Sequence, residues 1–260
     1  MPYRIGRVSI ITVVLNDKEN IEGTLLSVIN QTYSNKEIIV IDGGSTDGTL
    51  EIINRLNDNF DQFITEPDRG IYDAMNKGVQ FSRGEWVVFM NSGDVFINNN
   101  SIESVFSKER PDCDVIVCGT AVDYGSFKKN NLPGNLNKLW KGMNFCHQSA
   151  LVKTSYLAQY PFNIDLHIAA DYDLFLKLLS LNNVKFKKSD AILSLVSIGG
   201  VSDRKRVNAV LSWKEVATQY YPGFWVRHYY FWYVLLTRLK ITIKNFVPSF
   251  VAHALIKYFK

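Results

Sequence analysis

Four strand-like runs in the first hundred residues are each followed by carboxylates, amides and small polar residues. The segments that follow them are Asn16-Asp17, Asp42 to Thr49, Glu66 to Gly70, and Asn91 to Asp94. Because the carboxyl ends of parallel strands share the edge of a sheet where ligands bind, these side chains are expected in one pocket. Such hard oxygen ligands suit Mg²⁺ or Mn²⁺ holding a diphosphate. Asp42 could instead accept hydrogen bonds from a nucleobase imide or a ribose.

Each polar segment also has a simpler structural explanation, since Asp, Asn and Gly are favoured in turns and at helix N-termini. That explanation weighs most for Asp47, which is placed to cap the helix that follows it. It weighs less for Asp42 and Asp94, because four consecutive strand ends that each bring a carboxylate are hard to attribute to chance.

The elements that must position this pocket alternate regularly. Apolar runs predict strands at 8–15, 37–42, 61–65 and 85–90, and helical spacing of apolar residues predicts helices at 17–30, 47–56 and 71–81. This alternation predicts βαβ units, that is, an α/β fold with a Rossmann-like, mostly parallel central sheet flanked by helices. The chain has neither GxGxxG after its first strand nor a GxxxxGK motif, which disfavours a nicotinamide dehydrogenase and a P-loop nucleotide hydrolase.

The alternation loosens after about residue 111, but no linker marks a second domain. We predict one catalytic domain over 1–222, with halves at 1–110 and 111–222, and a tail over 223–260. Further strands are predicted at 114–119, at 148–153 and in two runs within 185–198, with helices at 169–181 and 203–220. The segment 125–144 is predicted as loop, and the glycines of 199–203 as a hinge.

Composition limits the class of protein. Hydrophobic residues make up 47% and charged residues 21%, which is enough for a core and excludes a disordered chain. The three cysteines show no CxxC spacing, so a disulfide scaffold and a cysteine-based zinc site are disfavoured. The first residues run directly into a strand without a signal-peptide pattern, and we expect a cytoplasmic protein.

The tail differs from the rest of the chain. From Val216 to Lys260 there is no Asp or Glu, and the basic residues are Arg227, Arg238, Lys240, Lys244, Lys257 and Lys260. Sparse charge without an RNA-binding signature disfavours nucleic acid, and the charges interrupt any apolar run long enough to span a membrane. We predict an interfacial amphipathic segment on an anionic membrane, divided by Pro248 into two helices. The alternative is a helix in which Trp225, Phe231 and Trp232 complete the core or a dimer contact.

Four motifs in order and spacing resemble the nucleotide-sugar-binding half of family 2 glycosyltransferases, which are inverting enzymes of GT-A fold. They are SIITVVLND, QTYSNKEIIVIDGGSTDGT, EPDRGIYDAMNKG and FMNSGD, between residues 8 and 95. The resemblance continues more weakly through CHQSALVK at 146–153 and AADYDLFLKL at 169–178, which resemble the acceptor-side motifs. The tail lies outside it.

The resemblance implies roles for individual residues. Thr12, Val14 and Asn16 would border the nucleotide, Asp42 would bind its uracil or ribose, and Asp68, Gly70, Asp73 and Asn76 would shape the wall around nucleotide and sugar. Asn91, Ser92, Gly93 and Asp94 occupy the metal-binding DxD position. Since Asn91 and Gly93 replace carboxylates there, Asp94 is the one acidic metal ligand, and most of the affinity for Mn²⁺ or Mg²⁺ would come from the donor diphosphate.

Asp171 falls at the position of the family's catalytic base, at the start of a helix. Its structural alternative is a carboxylate that interacts with the helix dipole, and Asp173 is the competing candidate for the base. Gln148 is expected on the acceptor side, and His147 either there or near the diphosphate, although His147 could equally be a structural histidine. Cys146 beside His147 has no orienting partner that would make it a nucleophile.

Together these observations predict an inverting, metal-dependent glycosyltransferase. Its donor would be a UDP-hexose or UDP-N-acetylhexosamine, and its acceptor a hydroxyl of a lipid-linked glycan in bacterial surface polysaccharide synthesis, at the inner face of the cell membrane. A homodimer is possible on the sequence alone. One alternative is a non-catalytic nucleotide-sugar-binding assembly protein, which the loss of two acidic positions in the DxD segment favours. Another is a nucleotidyltransferase, which would release pyrophosphate.

Overall fold

The structure is a computed structural model that describes residues 4–106, 112–199 and 205–246. Within these residues nine strands form one sheet in the order β3-β2-β1-β4-β8-β6-β9-β5, with β7 paired to β6. The strands are β1 (Arg4–Val14), β2 (Lys36–Asp42), β3 (Gln62–Thr65), β4 (Gly84–Phe89), β5 (Val95–Phe96), β6 (Val115–Asp123), β7 (Lys128–Asn131), β8 (Ala150–Lys153) and β9 (Phe186–Ser197).

The first half of the sheet is parallel, and its register sets the position of the site. β1 pairs in parallel with both β2 and β4, and β2 pairs in parallel with β3. Val14 lies opposite Asp42, and Asp42 lies opposite Thr65, so the ends of three strands meet at one edge. The predicted mixed α/β architecture and the four predicted strands of this half are confirmed.

The second half of the sheet adds antiparallel pairs. β8 runs antiparallel to both β4 and β6, and β5 runs antiparallel to β9. β6 and β9 are parallel to each other. The two strand runs predicted within 185–198 are one strand, β9, with an irregular register against β6 after Val117. The segment predicted as loop at 125–144 contains β7 and a short 3₁₀ helix, Leu136–Lys141.

Helices cover both faces of the sheet. They are α1 (Ile21–Ile29), α2 (Thr49–Arg55), α3 (Ile71–Phe81), α4 (Ser101–Phe106), α5 (Thr154–Gln159), α6 (Ala170–Ser180), α7 (Arg206–Tyr220) and α8 (Phe224–Phe246). Alternation along β1 sends Ile11 and Val13 to one core cluster and Val8 and Ile10 to the other. Residues 200–203 of the predicted hinge, like the predicted start of the following helix at 203, lie outside the described residues.

The C-terminal helix α8 packs on the domain along one side only. Its buried residues Val226, Tyr230 and Thr237 recur at helical spacing, and Val226 and Tyr230 belong to the core that contains α6 and α7. In contrast, Trp225 is 75% exposed and Phe231 60% exposed, so these aromatic side chains do not complete the core of the chain. Among the helices described, none is long and apolar enough to cross a membrane. Pro248, predicted to divide the tail, lies outside the described residues.

Candidate functional site

Asp42 lies at the end of β2, fully buried, with its two carboxylate oxygens in different situations. Oδ2 accepts hydrogen bonds from the Gly44 and Ser45 amides, each at 3.0 Å, and from Thr65 Oγ1 at 2.7 Å. Oδ1 is buried without a hydrogen-bond partner in the structure. Because a buried unpaired oxygen is costly, Oδ1 is available as an acceptor for a ligand donor such as a ribose hydroxyl or a base imide.

Asn16 ties the end of β1 to the loop that follows Asp42. Its backbone adopts a positive φ of 49°, and its Oδ1 accepts a hydrogen bond from the Thr46 amide at 2.8 Å. Its own amide donates to Ser45 Oγ at 2.8 Å. Thr12 and Val14 precede it on β1 and are buried, and the hydroxyl of Thr12 has no partner in the structure. Asp47 accepts the Thr49 amide at 3.0 Å at the start of α2, but the N-cap position itself is Gly48 and not Asp47.

The segment after β3 contains the remaining residues predicted to line the donor. Asp68 accepts the Gly70 amide at 2.7 Å, and Gly70 has a φ of 118°, which favours glycine. Asp73 pairs with the exposed Arg69. Asn76 is engaged elsewhere, because its amide group exchanges two hydrogen bonds of 2.9 Å with the backbone of Phe162. Asn76 therefore fixes α3 to the segment before α6.

The segment at the DxD position is held by side chains from the segment after β1 and from the acceptor-side motif. Ser92 donates to Asp17 Oδ2 at 2.6 Å, and Gln148 Nε2 donates to Asp94 Oδ2 at 2.7 Å. Burial raises the pKa of Asp94 to about 6, against the lowering effect of the Gln148 hydrogen bond. Asn91 is buried, and its Oδ1 has no hydrogen-bond partner in the structure.

Asp171 lies in the first turn of α6 and is surrounded by donors. His147 Nδ1 is 3.3 Å from its Oδ2, and Tyr72 donates its hydroxyl to Oδ1 at 3.2 Å. Since an ionised carboxylate offers about four lone-pair positions, Asp171 still has capacity to accept a further proton donor. Asp173 accepts the Tyr220 hydroxyl at 2.9 Å instead, and this contact fastens α6 to α7.

His147 joins the two parts of the site. Its Nε2 is 3.2 Å from the Asn91 side-chain nitrogen, while its Nδ1 faces Asp171. When the Asn91 amide nitrogen donates to Nε2, the Nδ1–H of His147 is the group that donates to Asp171. The structure thus brings His147, Asn91 and Asp171 together, and Gln148 beside Asp94.

One site residue was not anticipated from the sequence, namely Tyr72, which contacts Asp171 from α3. Asp17, expected in the pocket as one of the strand-end carboxylates, receives the Ser92 hydroxyl from the neighbouring strand end. For Tyr72 the available signal was its place in the motif EPDRGIYDAMNKG, but a tyrosine in the first turn of a helix is equally typical of core packing.

The residues of the DxD segment can supply part of a metal site. Among the residues described, no group of three or more His, Cys, Asp or Glu side chains could hold a metal ion. Asp94 and the unpaired Oδ1 of Asn91 are both hard oxygen ligands from one short segment. Such a pair fits Mg²⁺ or Mn²⁺ when a diphosphate and water supply the other ligands.

Cys146 does not have the properties of a nucleophile. Burial raises the pKa of its thiol to about 12, and the thiol donates to Gln148 Oε1 at 2.6 Å. A protonated thiol is a poor nucleophile, so Cys146 supports the position of Gln148.

Comparison with known proteins relates the chain to glycosyltransferases. The family model described as "Glycosyl transferase family 2" matches residues 9–165. The chain is 29% identical over 178 residues to a "PGL/p-HBAD biosynthesis glycosyltransferase" of Mycobacterium bovis (strain BCG / Pasteur 1173P2), covering 66% of this chain and 69% of that protein. It is 31% identical over 114 residues to the "Cholesterol galactosyltransferase" of Borreliella burgdorferi, covering 43% of this chain and 32% of that protein.

Solved structures share the fold at low sequence identity. The mannosyltransferase PcManGT from Pyrobaculum calidifontis, in complex with GDP-Man and Mn²⁺, has a TM-score of 0.67 at 17% identity, covering 99% of this chain and 81% of that chain. S. aureus TarS 1-349 in complex with UDP-GlcNAc has a TM-score of 0.65 at 17% identity, covering 81% of this chain. This chain spans 65% of the TarS structure. The GT-A fold is thereby confirmed.

Proposed function

Because the chain belongs to glycosyl transferase family 2, we propose that it is an inverting glycosyltransferase that uses a UDP-hexose or UDP-N-acetylhexosamine. The observation that carries this proposal is the contact of His147 with both Asp171 and Asn91, at 3.3 and 3.2 Å. One imidazole thereby joins the carboxylate proposed as the base to the segment that would hold the donor diphosphate. Both parts are needed for transfer.

In the proposed reaction Asp171 acts as the general base. The acceptor hydroxyl attacks the anomeric carbon from the face opposite the diphosphate, a carbon–oxygen bond forms, and the bond to the diphosphate breaks. The hydroxyl proton passes to Asp171, while the nucleoside diphosphate leaves with the bonding electrons. His147 and Tyr72 hold the carboxylate in place, since each donates to a different oxygen.

The donor would lie along the carboxyl edge of the parallel strands. Asp42 Oδ1, buried and unpaired, would accept from the uracil or ribose, with Thr12, Val14 and Asn16 beside it. Asp68, Gly70, Asp73 and Ser92 would border the nucleotide and sugar, and Asn76 would act indirectly by fixing α3. Structural neighbours of the same fold bind UDP-GlcNAc or GDP-Man, which supports a nucleotide-sugar donor.

The proposed enzyme uses Mn²⁺ or Mg²⁺ bound at the DxD segment. Asp94 and Asn91 Oδ1 would hold it, and a bound cation would stabilise charge on the leaving diphosphate. The Mn²⁺ in the PcManGT structure supports this assignment.

The acceptor in this proposal is a lipid-linked glycan of bacterial surface polysaccharide synthesis, reached at the inner face of the cell membrane. In it, residues 1–222 form the catalytic domain and 223–260 associate with anionic lipid. The exposed side of α8 supports this, because it presents large apolar side chains beside cations. The exposed apolar residues are Phe224, Trp225, Phe231, Trp232, Leu235, Leu236 and Leu239. The name of the Borreliella relative, with its sterol acceptor, points in the same direction.

The test is release of UDP from a panel of nucleotide sugars, with and without Mn²⁺, in the presence of a lipid-linked acceptor. We expect Mn²⁺-dependent release of nucleoside diphosphate from one UDP-sugar, and loss of that release in Asp171→Asn. Donor binding without turnover for any sugar would favour the non-catalytic binding protein, which the replacement of two DxD carboxylates also favours. Release of pyrophosphate would identify a nucleotidyltransferase.

A further inference from the structure

An aromatic groove lies between α8 and the 3₁₀ helix Leu136–Lys141, outside the residues assigned to transfer. Its volume is about 420 Å³, and its walls are Trp140, Trp225, His228, Tyr229, Trp232, Tyr233 and Leu236. We propose that this groove binds the hydrocarbon chain of a lipid phosphate, with the phosphate against Lys141. The inference rests on the proposed glycosyltransferase function, and it identifies the chemical class of the acceptor carrier.

The shape and lining of the groove suit an apolar chain. Trp140 meets Tyr229 edge-on with ring centroids 5.4 Å apart, which forms the inner wall. The outer wall is open, since Trp225 is 75% exposed and Leu236 is 50% exposed. Exposed apolar surface of this kind is stabilised when hydrocarbon replaces water. The volume lies within the range of small-molecule sites.

Positive charge at the groove indicates what the chain is attached to. Lys141 Nζ lies 5.1 Å from the Trp140 ring and 5.3 Å from the Tyr229 ring, so an ammonium group lies against two of the rings that line the groove. Arg227, Arg238 and Lys240 are exposed on α8, and the sequence has no Asp or Glu from 216 to 260. An alkyl phosphate satisfies both features, because its chain fills the apolar walls and its anion meets the lysine.

Buried tyrosines connect the groove to the helix that carries Asp171. Tyr230 donates its hydroxyl to the Trp140 carbonyl at 3.0 Å, and Tyr172 donates to the Leu139 carbonyl at 3.0 Å. The two hydroxyl oxygens are 3.2 Å apart. Since Tyr172 follows Asp171 in α6, the wall of the groove and the proposed base belong to one packed unit. A lipid held in the groove would keep its glycan on the acceptor side of the site.

A second copy of the chain is a poorer occupant than a lipid. Symmetric pairing of two α8 helices would bring Arg227, Arg238 and Lys240 of each copy near those of the other. No acidic side chain of the helix could compensate this repulsion. An anionic lipid reverses the sign of that interaction.

The test uses quenching of tryptophan fluorescence by bromododecyl phosphate, below its micelle concentration, on the full chain. Three of the groove residues are tryptophans, so a bromine in the groove quenches their emission. We expect saturable quenching that Leu236→Glu weakens at least about tenfold, since a carboxylate in the groove repels phosphate and is poorly solvated. Lys141→Gln should weaken binding of the phosphate probe several-fold. It should leave unchanged the affinity with which uncharged dodecyl maltoside competes for the groove.

Leu235→Glu is the matched control. Leu235 is 47% exposed on the same helix but does not line the groove, so its variant should bind the probe like the parent chain. Equal loss in both variants, or quenching that rises without saturation, would overturn the proposal. So would a dimer of the parent chain that Leu236→Glu alone dissociates in sedimentation. UDP release with a water-soluble acceptor is measured in parallel. Transfer without saturable quenching would contradict only the proposal that the groove binds lipid. Saturable quenching without transfer would contradict the proposed glycosyltransferase function.

Discussion

Asp171 and Asp173 lie two residues apart in α6 but meet different partners. Asp171 faces His147 and Tyr72, whereas Asp173 accepts the Tyr220 hydroxyl. We expect Asp171→Asn to lower kcat by about 10² to 10⁴, the range of a lost general base, with donor affinity retained. Steady-state kinetics with donor titration measures this. Asp173→Asn is the matched control, and it should retain most of kcat; inactivity of Asp173→Asn together with an active Asp171→Asn would assign the base to Asp173.

Asp94 illustrates a conflict between function and stability at one residue. Burial raises the pKa of Asp94 to about 6, so the folding free energy that its ionisation costs is absent below about pH 4, grows between pH 4 and 6, and is nearly complete above pH 6. Asp94→Asn should therefore stabilise the metal-free protein at pH 7.5 by about 3 kcal/mol, or roughly 6 to 12 °C in Tm. At pH 4.5, between the ordinary and the raised pKa, the gain should fall to roughly a third.

Thermal unfolding in EDTA at the two pH values measures the effect. The same variant should lose metal-dependent transfer, because its only acidic ligand in the DxD segment is gone. A Tm gain that does not change with pH would contradict the assignment of the raised pKa to Asp94.

The exposed side of α8 provides a prediction at the level of one element. Phe231 is 60% exposed and contributes little to the fold, but on a membrane it would enter the lipid. Phe231→Ser should weaken binding to vesicles of phosphatidylglycerol about tenfold, and Arg227→Gln about fivefold at low salt. Co-sedimentation with vesicles measures both.

A matched control lies elsewhere on the surface. Leu132 is 55% exposed beyond β7, so Leu132→Ser removes a comparable apolar side chain without touching α8. Membrane association through α8 requires that Leu132→Ser binds like the parent chain. If Phe231→Ser also binds like the parent chain, α8 is not the membrane-binding element.

Element by element, the parallel half of the sheet was the most predictable part of the fold. The β-branched runs of β1 and β2 allow few conformations other than a buried strand, and the alternating helices fix their parallel order. β7 is short and polar, so local sequence gave no signal for it. The single strand β9 was divided in prediction because Lys187, Lys188 and Asp190 interrupt its apolar pattern.

The site was predictable to the level of segments and not of contacts. The carboxylates are visible in the strand-end motifs, and the topology of a parallel sheet places all of these motifs at one edge. The contact of His147 with Asp171 joins residues 24 positions apart, and it depends on how the 3₁₀ helix His147–Ser149 packs against α6. No local pattern encodes that packing. The contact of Tyr72 with Asp171 could not be predicted for the same reason.

For the molecule as a whole, α8 completes the core through Tyr230. This side chain is fully buried, and its hydroxyl satisfies the Trp140 carbonyl. Tyr230→Ala should destabilise the protein by about 3 to 5 kcal/mol, because it leaves a cavity and an unpaired carbonyl. Urea unfolding measures the change.

Trp232, two residues further along the same helix and 48% exposed, is the control. Trp232→Ala should change the free energy of unfolding by less than about 1 kcal/mol. Similar losses in the two variants would show that the exposed side of α8 is packed in solution. The prediction also means that the chain cannot be shortened to residue 223 without damage to its core, so surface substitutions are the better probe of the tail.

The two sides of α8 are subject to different evolutionary pressures. Val226, Tyr230 and Thr237 are buried against the domain, so we expect descendants that keep the fold to keep them, whereas Phe224, Trp225 and Phe231 are exposed and contribute little to folding. Random drift would replace exposed aromatic side chains with polar ones at little cost to stability. In descendants that still work at a membrane, the exposed positions should keep their apolar character while changing identity freely. In a lineage that has moved to a water-soluble acceptor, polar residues should first replace apolar ones on this exposed side of the helix.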